Sequence, residues 1–381
     1  MNLSRSAKIA VAAAAIAAFT VQSAFAFGGV TLTGAGSTFA TPLISACAPG
    51  WQSQYGTTVS YAGGGSGTGR KSADNGIGNF NFSDASYTPA KSSIIHIPVI
   101  AAPVAIAYNI DAGTNKSGIY LSQKTLSDIF AGKVTKWNDP EIVADNTGAK
   151  TTVIYKKDAK GVVVKVKGKP VVLKAATTSV RVSLPDQIIR VIFRADSSGT
   201  TQNLVNFFIA QFPSVWTNPS SGTFTSAYAT PGGLPYSSLS ASGSAGVAAL
   251  AASTPYSITY VESSYAASNN LGVASIKNAS GSFQGPTAAG TAAFLNSATA
   301  TASGVLTFNY NTTDKGAYVL GIVSYALVDS ADTGDWASAT TSWLKYLLSD
   351  KCVNTNPALG YSTITGPLLA TDNALIAKLA Q

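Results

Sequence analysis

Short apolar runs that end in turns rich in glycine and hydroxyl side chains recur along the chain. Residues 29–39 predict a strand that enters a glycine turn, and the apolar spacing over 42–51 predicts a helix after it. Residues 59–62 predict a second strand, which opens into the glycine-rich turn 63–71. Residues 80–84 predict a third strand. The pattern is one of strands followed by helices, with polar turns between them.

The stretch 193–208 repeats this pattern and adds a charged side chain to the hydroxyl-rich turn. An apolar run delivers Arg194 to a turn of serine, glycine and threonine, and apolar positions at helical spacing follow. The Ser198 and Thr200 hydroxyls, free backbone amides and the positive helix end could all face one point beside a guanidinium, where an anion would fit. The alternative interpretation is a helix cap with an Arg194–Asp196 pair on the surface.

Two long apolar runs, 97–110 and 316–328, predict strands that pass between domains. Between them, residues 150–182 alternate valine with lysine and predict a Lys-rich hairpin exposed to water, with docking on an acidic partner as the functional alternative. Strands alternating with helices over 381 residues favour an α/β fold of two domains, and the two runs favour two crossings between them.

The N-terminus has the features of a secretory signal. Arg5 and Lys8 precede an apolar stretch, and residues 24–26 (Ala-Phe-Ala) have the form of a signal peptidase site. We expect residues 1–26 to be removed by cleavage near Ala26. Because no cysteine follows the site and no later apolar run reaches the ~18 residues of a membrane span, the mature protein is expected to be soluble and either periplasmic or secreted.

The formal net charge of +8 is concentrated in one segment. Removal of Arg5 and Lys8 leaves +6, and residues 150–174 hold eight lysines and one acid, Asp158, for +7. The rest of the mature chain therefore carries about −1. A nucleic-acid-binding protein spreads positive charge over a binding face, so no nucleic-acid partner is expected.

Cysteine and histidine usage limits the chemistry. Cys47 and Cys352 predict one disulfide in an exported chain, with two free buried thiols as the alternative. The sequence has a single histidine, His96, so neither a zinc site nor a Ser-His-Asp triad is well supplied. His96 lies among isoleucines and is expected to be structural, and no metal is predicted.

Three strand-to-helix turns share one chemistry, at 36–39, 65–67 and 198–200. Each offers hydroxyls and backbone donors at a helix N-terminus, which suits a small tetrahedral oxyanion. The second turn comes near a nucleotide P-loop but has Arg70 where a lysine is required after Gly69, so nucleotide binding is not predicted.

With these turns identified, the chain resembles the PstS-type phosphate-binding proteins, the solute-binding components of bacterial phosphate ABC transporters. The segments that carry the resemblance are 33–39 (Thr-Gly-Ala-Gly-Ser-Thr-Phe) with Pro42, the turn at Ser66, 80–84, 124–138, 194–200, 258–262, 265–266, 269–271 and the crossing after Ala317. They follow the family order from about 31 to 350.

The resemblance implies a two-lobed periplasmic-binding-protein fold of the Venus flytrap type, with two interlobe crossings. Residues 27–100 with 318–381 would form lobe 1, and 101–317 would form lobe 2, with the hairpin at 150–182 as an insertion. Cys47 and Cys352 then fall in the same lobe, which makes their disulfide geometrically possible.

The resemblance also implies a phosphate site built from hydrogen bonds, without metal or cofactor. Its predicted members are Thr38, Phe39, Ser66, Asp84, Arg194, Ser198, Gly199 and Thr200, with Asp196 orienting Arg194. Asp84 is the informative member, because a carboxylate repels an anion unless the ligand brings a proton. Phosphate at neutral pH carries one and sulfate does not, so Asp84 is predicted to reject sulfate.

The sequence departs from the family pattern at several positions. Arg70 and Lys71 replace the usual small residues, so an extra cation is expected to line or flank the site. The strand at 257–262 has Ser257 and Thr259 where glycines are common, and the crossing has Tyr318-Val319 where an aromatic-proline pair is common.

The function implied is high-affinity capture of inorganic phosphate outside the cytoplasmic membrane and its delivery to a membrane permease. The protein is expected to act as a monomer and not as an enzyme. The alternatives are a secreted phosphatase-like enzyme and a surface adhesion or assembly protein on the same phosphate-binding scaffold.

Overall fold

A computed structural model describes residues 27, 29–156, 158, 163–166, 169–228 and 233–380. The predicted signal peptide, residues 1–26, and residues 157, 159–162 and 167–168 of the predicted Lys-rich hairpin lie outside the described residues. Within the ranges given, no helix is both long enough and apolar enough to cross a membrane.

The strands are short apart from four that have nine or more residues. They are β1 Thr31–Gly36, β2 Thr58–Gly63, β3 Asn81–Ser83, β4 Ile94–Asn109, β5 Tyr120–Leu121, β6 Thr147–Tyr155, β7 Lys165–Val166, β8 Lys169–Pro170, β9 Val172–Arg181, β10 Arg190–Arg194, β11 Leu239–Ala241, β12 Ser257–Glu262, β13 Gly272–Val273, β14 Ser275–Lys277, β15 Phe283–Gln284, β16 Thr299–Ala300, β17 Leu306–Thr307 and β18 Gly321–Asp329.

The helices alternate with these strands. They are α1 Thr41–Tyr55, α2 Ser66–Asp74, α3 Ala112–Ser117, α4 Gln123–Phe130, α5 Pro140–Asp145, α6 Gly199–Gln211, α7 Phe224–Ala227, α8 Gly243–Ser253, α9 Ser263–Ser268, α10 Ala288–Leu295, α11 Gly334–Leu347 and α12 Gly366–Ile376, with 3-10 turns at Pro357–Leu359 and Ala377–Ala380.

One mixed sheet forms the centre of the molecule, in the order β11-β10-β12-β4-β18-β3-β1-β2, and β13 also pairs with β4. The pairs β1–β2, β10–β11 and β10–β12 are parallel, which requires crossover helices between those strands. β4 runs antiparallel to both β12 and β18. This arrangement packs helices against a buried sheet and is of the α/β class.

β4 joins two groups of strands. Its residues 94–103 pair with β18, and its residues 104–109 pair with β12. We call β1, β2, β3, β18 and the first part of β4 the first strand group, and β10, β11, β12 and the second part of β4 the second strand group. Apolar β-branched residues fill β4 because both of its faces are covered, and the strand is buried almost throughout.

The chain returns between the strand groups immediately before β18. Tyr318, Val319 and Leu320 are buried there. The Tyr318 hydroxyl donates to the Val104 carbonyl at 2.7 Å, and the Val104 amide donates to the Leu320 carbonyl at 2.9 Å. The return segment therefore packs on β4 at the residue where its pairing partner changes.

The lysine-rich segment forms strands that are separate from the main sheet. β6 pairs antiparallel with β9, and β7 pairs antiparallel with β8. The described lysines Lys156, Lys165 and Lys169 are exposed. The backbone of this segment is therefore a ribbon whose described charges face water.

The two cysteines form a disulfide. Cys47 of α1 is bonded to Cys352, which follows α11, so the pairing predicted from the sequence is confirmed and the alternative of two free thiols is wrong. Trp51 of α1 packs edge to face on Trp343 of α11, with ring centroids 5.7 Å apart. The disulfide thus links two helices that already share an aromatic core.

Candidate functional site

The turn between β10 and α6 has the predicted strand-turn-helix form. Ser198 is the N-cap of α6, and its Oγ accepts from the Thr201 amide at 3.1 Å. The amides of Gly199 and Thr200 begin the helix and have no intrahelical acceptor, because the first turn of a helix leaves its N–H groups unpaired. This turn therefore offers backbone donors at the positive end of α6.

Arg194 is buried beside this turn. Its side chain is 2% exposed, its Nε donates to Asp196 Oδ1 at 2.7 Å, and its Nη2 donates to Asp196 Oδ2. The interpretation as a surface ion pair is therefore wrong. Burial works to lower the pKa of Arg194, but the bonds and charge of Asp196 raise it above its ordinary value. The guanidinium is a fixed positive charge inside the protein.

Asp196 is held in place from two sides. Besides the Arg194 guanidinium, its Oδ1 accepts from the Gly243 amide at 2.9 Å, at the first residue of α8. Burial acts to raise the pKa of Asp196, but its contacts with Arg194 lower it below the ordinary value. These contacts favour the ionised form of Asp196 and hold the Arg194 side chain in one orientation.

The first turn lies between β1 and α1. The amides of Thr38 and Phe39 make no hydrogen bond to other described residues, and the Ser37 Oγ accepts from the Ala40 amide at 3.2 Å. The Phe39 ring is fully buried and packs edge to face on Tyr361. Thr38 and Phe39 can therefore contribute backbone donors, and only Thr38 can add a side-chain hydroxyl.

The second turn approaches the second strand group closely. Gly65 has φ of 86°, and a Cβ built on it would lie 2.2 Å from Asp196 Oδ2. The Gly67 amide donates to the Ser197 carbonyl at 2.9 Å. Glycine is required at residue 65 both for the left-handed backbone and for this contact. Ser66, the first residue of α2, is thereby placed between the two strand groups.

Asp84 lies at the centre of the site, directly after β3, and is 3% exposed. Four hydroxyls donate to its carboxylate, two to each oxygen. Oδ1 accepts from Ser37 and, at 2.7 Å, from Ser324 of β18. Oδ2 accepts from Ser66 at 3.3 Å and from Thr200 of α6 at 3.1 Å. The carboxylate is therefore surrounded by donors from both strand groups.

The pKa of Asp84 is raised from its ordinary value because burial disfavours the charged form. The hydrogen bonds from Ser37, Ser324 and Thr200 and the charge of Arg194 act in the opposite direction. Four donated hydrogen bonds are the arrangement expected of a carboxylate acceptor. Asp84 can therefore accept a hydrogen bond from a ligand O–H group that replaces one of these hydroxyls.

Arg70 flanks the site at the cleft between the two strand groups. Its Nη1 donates to Gln202 Oε1 at 3.0 Å and its Nη2 to Ser197 Oγ at 3.2 Å, so α2 is tied to α6 and to the turn before it. Its guanidinium carbon lies 6.0 Å from the centre of the Tyr87 ring. The extra cation expected from the sequence is thus present beside the site and bridges the cleft.

All the predicted site residues lie where β1, β2, β3 and β10 end, and the structure brings their turns together. Sequence reasoning missed further members of the cluster: Ser37, Asn203, Ser244, Glu262 and Ser324. Asn203 donates to the Asp84 carbonyl at 2.6 Å. A lone polar residue inside an otherwise apolar strand, as at Ser324, is the signal that could have found one of them. Among the described residues, no group of three or more histidine, cysteine or acidic residues could hold a metal.

Comparison with known proteins shows the superfamily to which the chain belongs. Residues 21–351 match the PBP superfamily domain, so the chain belongs to the PBP superfamily. It is similar to the phosphate-binding protein PstS of Pasteurella multocida, with 31% identity over 264 residues that make up 68% of this chain and 64% of that protein. PstS of Xylella fastidiosa is 28% identical over 305 residues, which cover 78% of this chain and 72% of that protein.

Solved structures agree on the fold. A high affinity periplasmic phosphate-binding protein (PfluDING) superposes with a TM-score of 0.64 at 19% identity, covering 91% of this chain and 93% of that one. An ABC-type phosphate transport receptor from Vibrio cholerae gives a TM-score of 0.50 at 15% identity, covering 87% and 100%. The predicted α/β fold of the periplasmic-binding-protein class is confirmed, and so is the resemblance to PstS. The chain spans just under two thirds of the length of the Pasteurella protein.

Proposed function

We propose that this protein captures inorganic phosphate with high affinity outside the cytoplasmic membrane and delivers it to an ABC-transporter permease. The names of its relatives and the donor-rich site between the strand groups support this proposal. The burial of Asp84 among hydrogen-bond donors is the main observation in its favour. A buried carboxylate in a site that binds anions selects an anion that brings its own proton.

Phosphate binding would redirect two hydroxyls. Ser66 and Thr200 donate to Asp84 Oδ2. When a phosphate O–H donates to that oxygen, both hydroxyls are released to donate to other phosphate oxygens. Ser37 and Ser324 keep Oδ1 and hold the carboxylate in position.

The remaining phosphate oxygens would face the helix N-termini and Arg194. The available donors are the amides of Thr38, Phe39, Ser66, Gly199 and Thr200. Arg194 adds the charge, and its side chain is already fixed by Asp196, so little side-chain entropy is lost on binding. Sulfate offers no proton to Asp84 and would leave two anions facing each other.

Closure of two lobes follows from contacts on both sides. The predicted lobe 1 holds Thr38, Ser66 and Asp84, and the predicted lobe 2 holds the turn 194–200. A ligand that bonds to both favours the state in which they meet. We further propose that the signal is cleaved near Ala26, that the mature protein acts in the periplasm or as a secreted monomer, and that it is a binding protein rather than an enzyme.

Calorimetry with phosphate and with sulfate tests the proposal, on the mature chain and on Asp84→Asn. The wild type is expected to bind phosphate without competition from sulfate, and the variant to bind phosphate more weakly and to discriminate less. Asp335→Asn, at an exposed residue of α11, serves as the control and should match the wild type.

Two results would contradict the proposal. If the wild type binds sulfate as tightly as it binds phosphate, the role given to Asp84 is wrong. If it binds neither, the function is wrong. Release of product from a chromogenic phosphate ester without added metal would overturn the statement that the protein is not an enzyme.

A further inference from the structure

A second buried carboxyl, Glu262, lies beside the site at the end of β12. It is 1% exposed. Its Oε1 accepts from Ser244 Oγ at 3.1 Å, whereas its Oε2 is buried and has no hydrogen-bond partner among the described residues. An ionised carboxylate with an unpaired buried oxygen is costly, so this environment favours the neutral acid.

Ser244 connects Glu262 to two residues of the proposed phosphate site. Its Oγ lies 3.3 Å from Arg194 Nη1, which donates to it, and 3.0 Å from Thr38 Oγ1. Its amide donates to Thr38 Oγ1 at 3.1 Å. The Ser244 hydroxyl is therefore the only group between the Glu262 carboxyl and the Arg194 guanidinium along this chain of hydrogen bonds. It also links Glu262 to the Thr38 hydroxyl of the opposite strand group.

The charged and titratable groups around Glu262 come from every side of the cluster. They are Asp84 after β3, Arg194 of β10, Tyr265 of α9 and Tyr361, which follows the last 3-10 turn before α12. Burial, the largest effect, and the charge of Asp84 raise the pKa of Glu262 to about 8, while Arg194 and the Ser244 bond act to lower it. The pKa of Tyr265 is raised to about 12, so that phenol stays neutral near pH 8.

We propose that Glu262 makes the affinity of the binding site depend on pH, because its protonation sets how much of the Arg194 charge is available to the bound oxyanion. This inference rests on the proposed function. When Glu262 is neutral, Arg194 faces Asp84, Asp196 and the ligand. When Glu262 is ionised, a third acid shares the Arg194 charge and the anion is repelled.

The sign of the effect follows from linkage. A bound phosphate dianion disfavours a charge on Glu262, so the complex holds the proton more tightly than the free protein does. Binding near pH 8 is therefore accompanied by uptake of a proton at Glu262. Equally, the affinity for phosphate is full below that pH and falls as the pH rises through it.

Titration calorimetry with inorganic phosphate between pH 7 and 9.5 tests this, using the mature wild type and Glu262→Gln. Pairs of buffers that differ in ionisation enthalpy count the protons taken up. The wild-type Kd is expected to rise roughly tenfold across this range beyond any change seen in the variant, with proton uptake near pH 8. Glu262→Gln should take up no such proton and should bind more tightly than the wild type at the alkaline end.

Asp372→Asn is the matched control. Asp372 of α12 is also fully buried, neither of its oxygens has a partner among the described residues, and burial raises its pKa to about 8. It makes no hydrogen bond to the proposed ligand residues. The control should therefore keep the wild-type profile of phosphate binding, although the folded protein loses a group that titrates in the same range.

Ser244→Ala provides a second variant if Glu262→Gln does not fold, as judged from its thermal transition. Loss of the Ser244 bond raises the pKa of Glu262 further, so the decline in affinity should begin at a higher pH. If the wild type binds phosphate and its pH profile matches that of Glu262→Gln, or is the same in Ser244→Ala, the inference is overturned while the proposed function stands. If the wild type binds no phosphate at any pH, the proposed function fails first.

Discussion

The two sides of the site treat a buried acid in opposite ways. On the Asp84 side, formed by Ser37, Ser66, Asp84 and Ser324, hydroxyl donors bond to both carboxylate oxygens. On the Arg194 side, formed by Arg194, Asp196, Ser244 and Glu262, one acid is fixed by a guanidinium and the other keeps one oxygen without a partner. The Asp84 side is built to accept a hydrogen bond from the ligand, and the Arg194 side to supply positive charge.

The difference teaches that burial alone does not decide how a carboxyl behaves. Asp84 and Glu262 are buried to a similar degree, and burial raises the pKa of both. The number of donors distinguishes them, because each hydrogen bond to the ionised form lowers the pKa and offsets part of the desolvation penalty. Substitutions at three positions, Arg194, Gly199 and Ser324, test how far each side depends on the other.

Removal of the cation should have the largest effect. Arg194→Ala removes the buried positive charge that would face the bound anion, so phosphate affinity should fall roughly a hundredfold or more. Arg194→Lys keeps the charge but not the two-point contact with Asp196, so its affinity should be intermediate. Calorimetry measures both.

Arg190→Ala, at the exposed start of the same strand, is the control for this change. It removes an arginine and the same formal charge without touching the site. A similar loss of affinity in Arg190→Ala would show that overall charge, and not the Arg194 side, holds the anion.

A methyl group added between the two sides, by Gly199→Ala, should have the next largest effect on phosphate affinity. A Cβ at Gly199 would lie 2.6 Å from Ser66 Oγ and 2.9 Å from the Asp84 Cβ, so Gly199→Ala forces the two strand groups apart. Overpacking of this kind costs about 1–3 kcal/mol; if that cost falls on the closed, ligand-bound state, affinity drops roughly fivefold to 150-fold.

The matched change is Gly285→Ala, where the nearest atom to the new Cβ is Ser275 Oγ at 3.8 Å. This variant should bind phosphate like the wild type. Tight binding by Gly199→Ala would mean that the two sides do not need to approach as closely as they do in this structure.

Loss of one donor on the Asp84 side should have the smallest effect. Ser324→Ala removes a hydrogen bond worth about 1 kcal/mol, for a roughly fivefold weaker Kd near neutral pH. The same loss raises the pKa of Asp84. Because phosphate requires the ionised acceptor, affinity should fall at a higher pH in the variant than in the wild type as the solution is acidified.

Kd values between pH 4 and 7 measure this shift, and Ser330→Ala is the control. Ser330 follows the same strand, but its hydroxyl donates to the Ser93 carbonyl. Its loss should therefore not change the pH at which phosphate affinity falls on acidification. If phosphate affinity falls at the same pH in Ser324→Ala and in the wild type, the Ser324 hydroxyl does not affect the pKa of Asp84.

The sequence was sufficient to predict the turns that form the site. Glycine and hydroxyl residues after short apolar runs mark local structure, so the turns at Thr38, Ser66 and Ser198 and the carboxylate at Asp84 could be placed before their arrangement was known. The burial of Arg194 could not be read from its neighbours. Its pairing with Asp196 is local, but what covers the pair comes from α8 and the second turn.

The supporting residues could not be predicted because they depend on register between distant segments. Asp84 and Ser324 are 240 residues apart, and they meet only because β18 pairs with β3. Ser244 is 206 residues from Thr38. Glu262 ends a predicted strand, but nothing local distinguishes it from a surface acid at a strand end.

The position of β18 has a consequence for the order in which the protein can be made. It lies between β3 and β4 in the sheet, although it is synthesised long after both. Until residue 329 has emerged, each of those strands has an unpaired edge and Asp84 lacks Ser324. We therefore expect the first strand group to depend on holding chaperones during synthesis, since open strand edges in an incomplete chain favour aggregation.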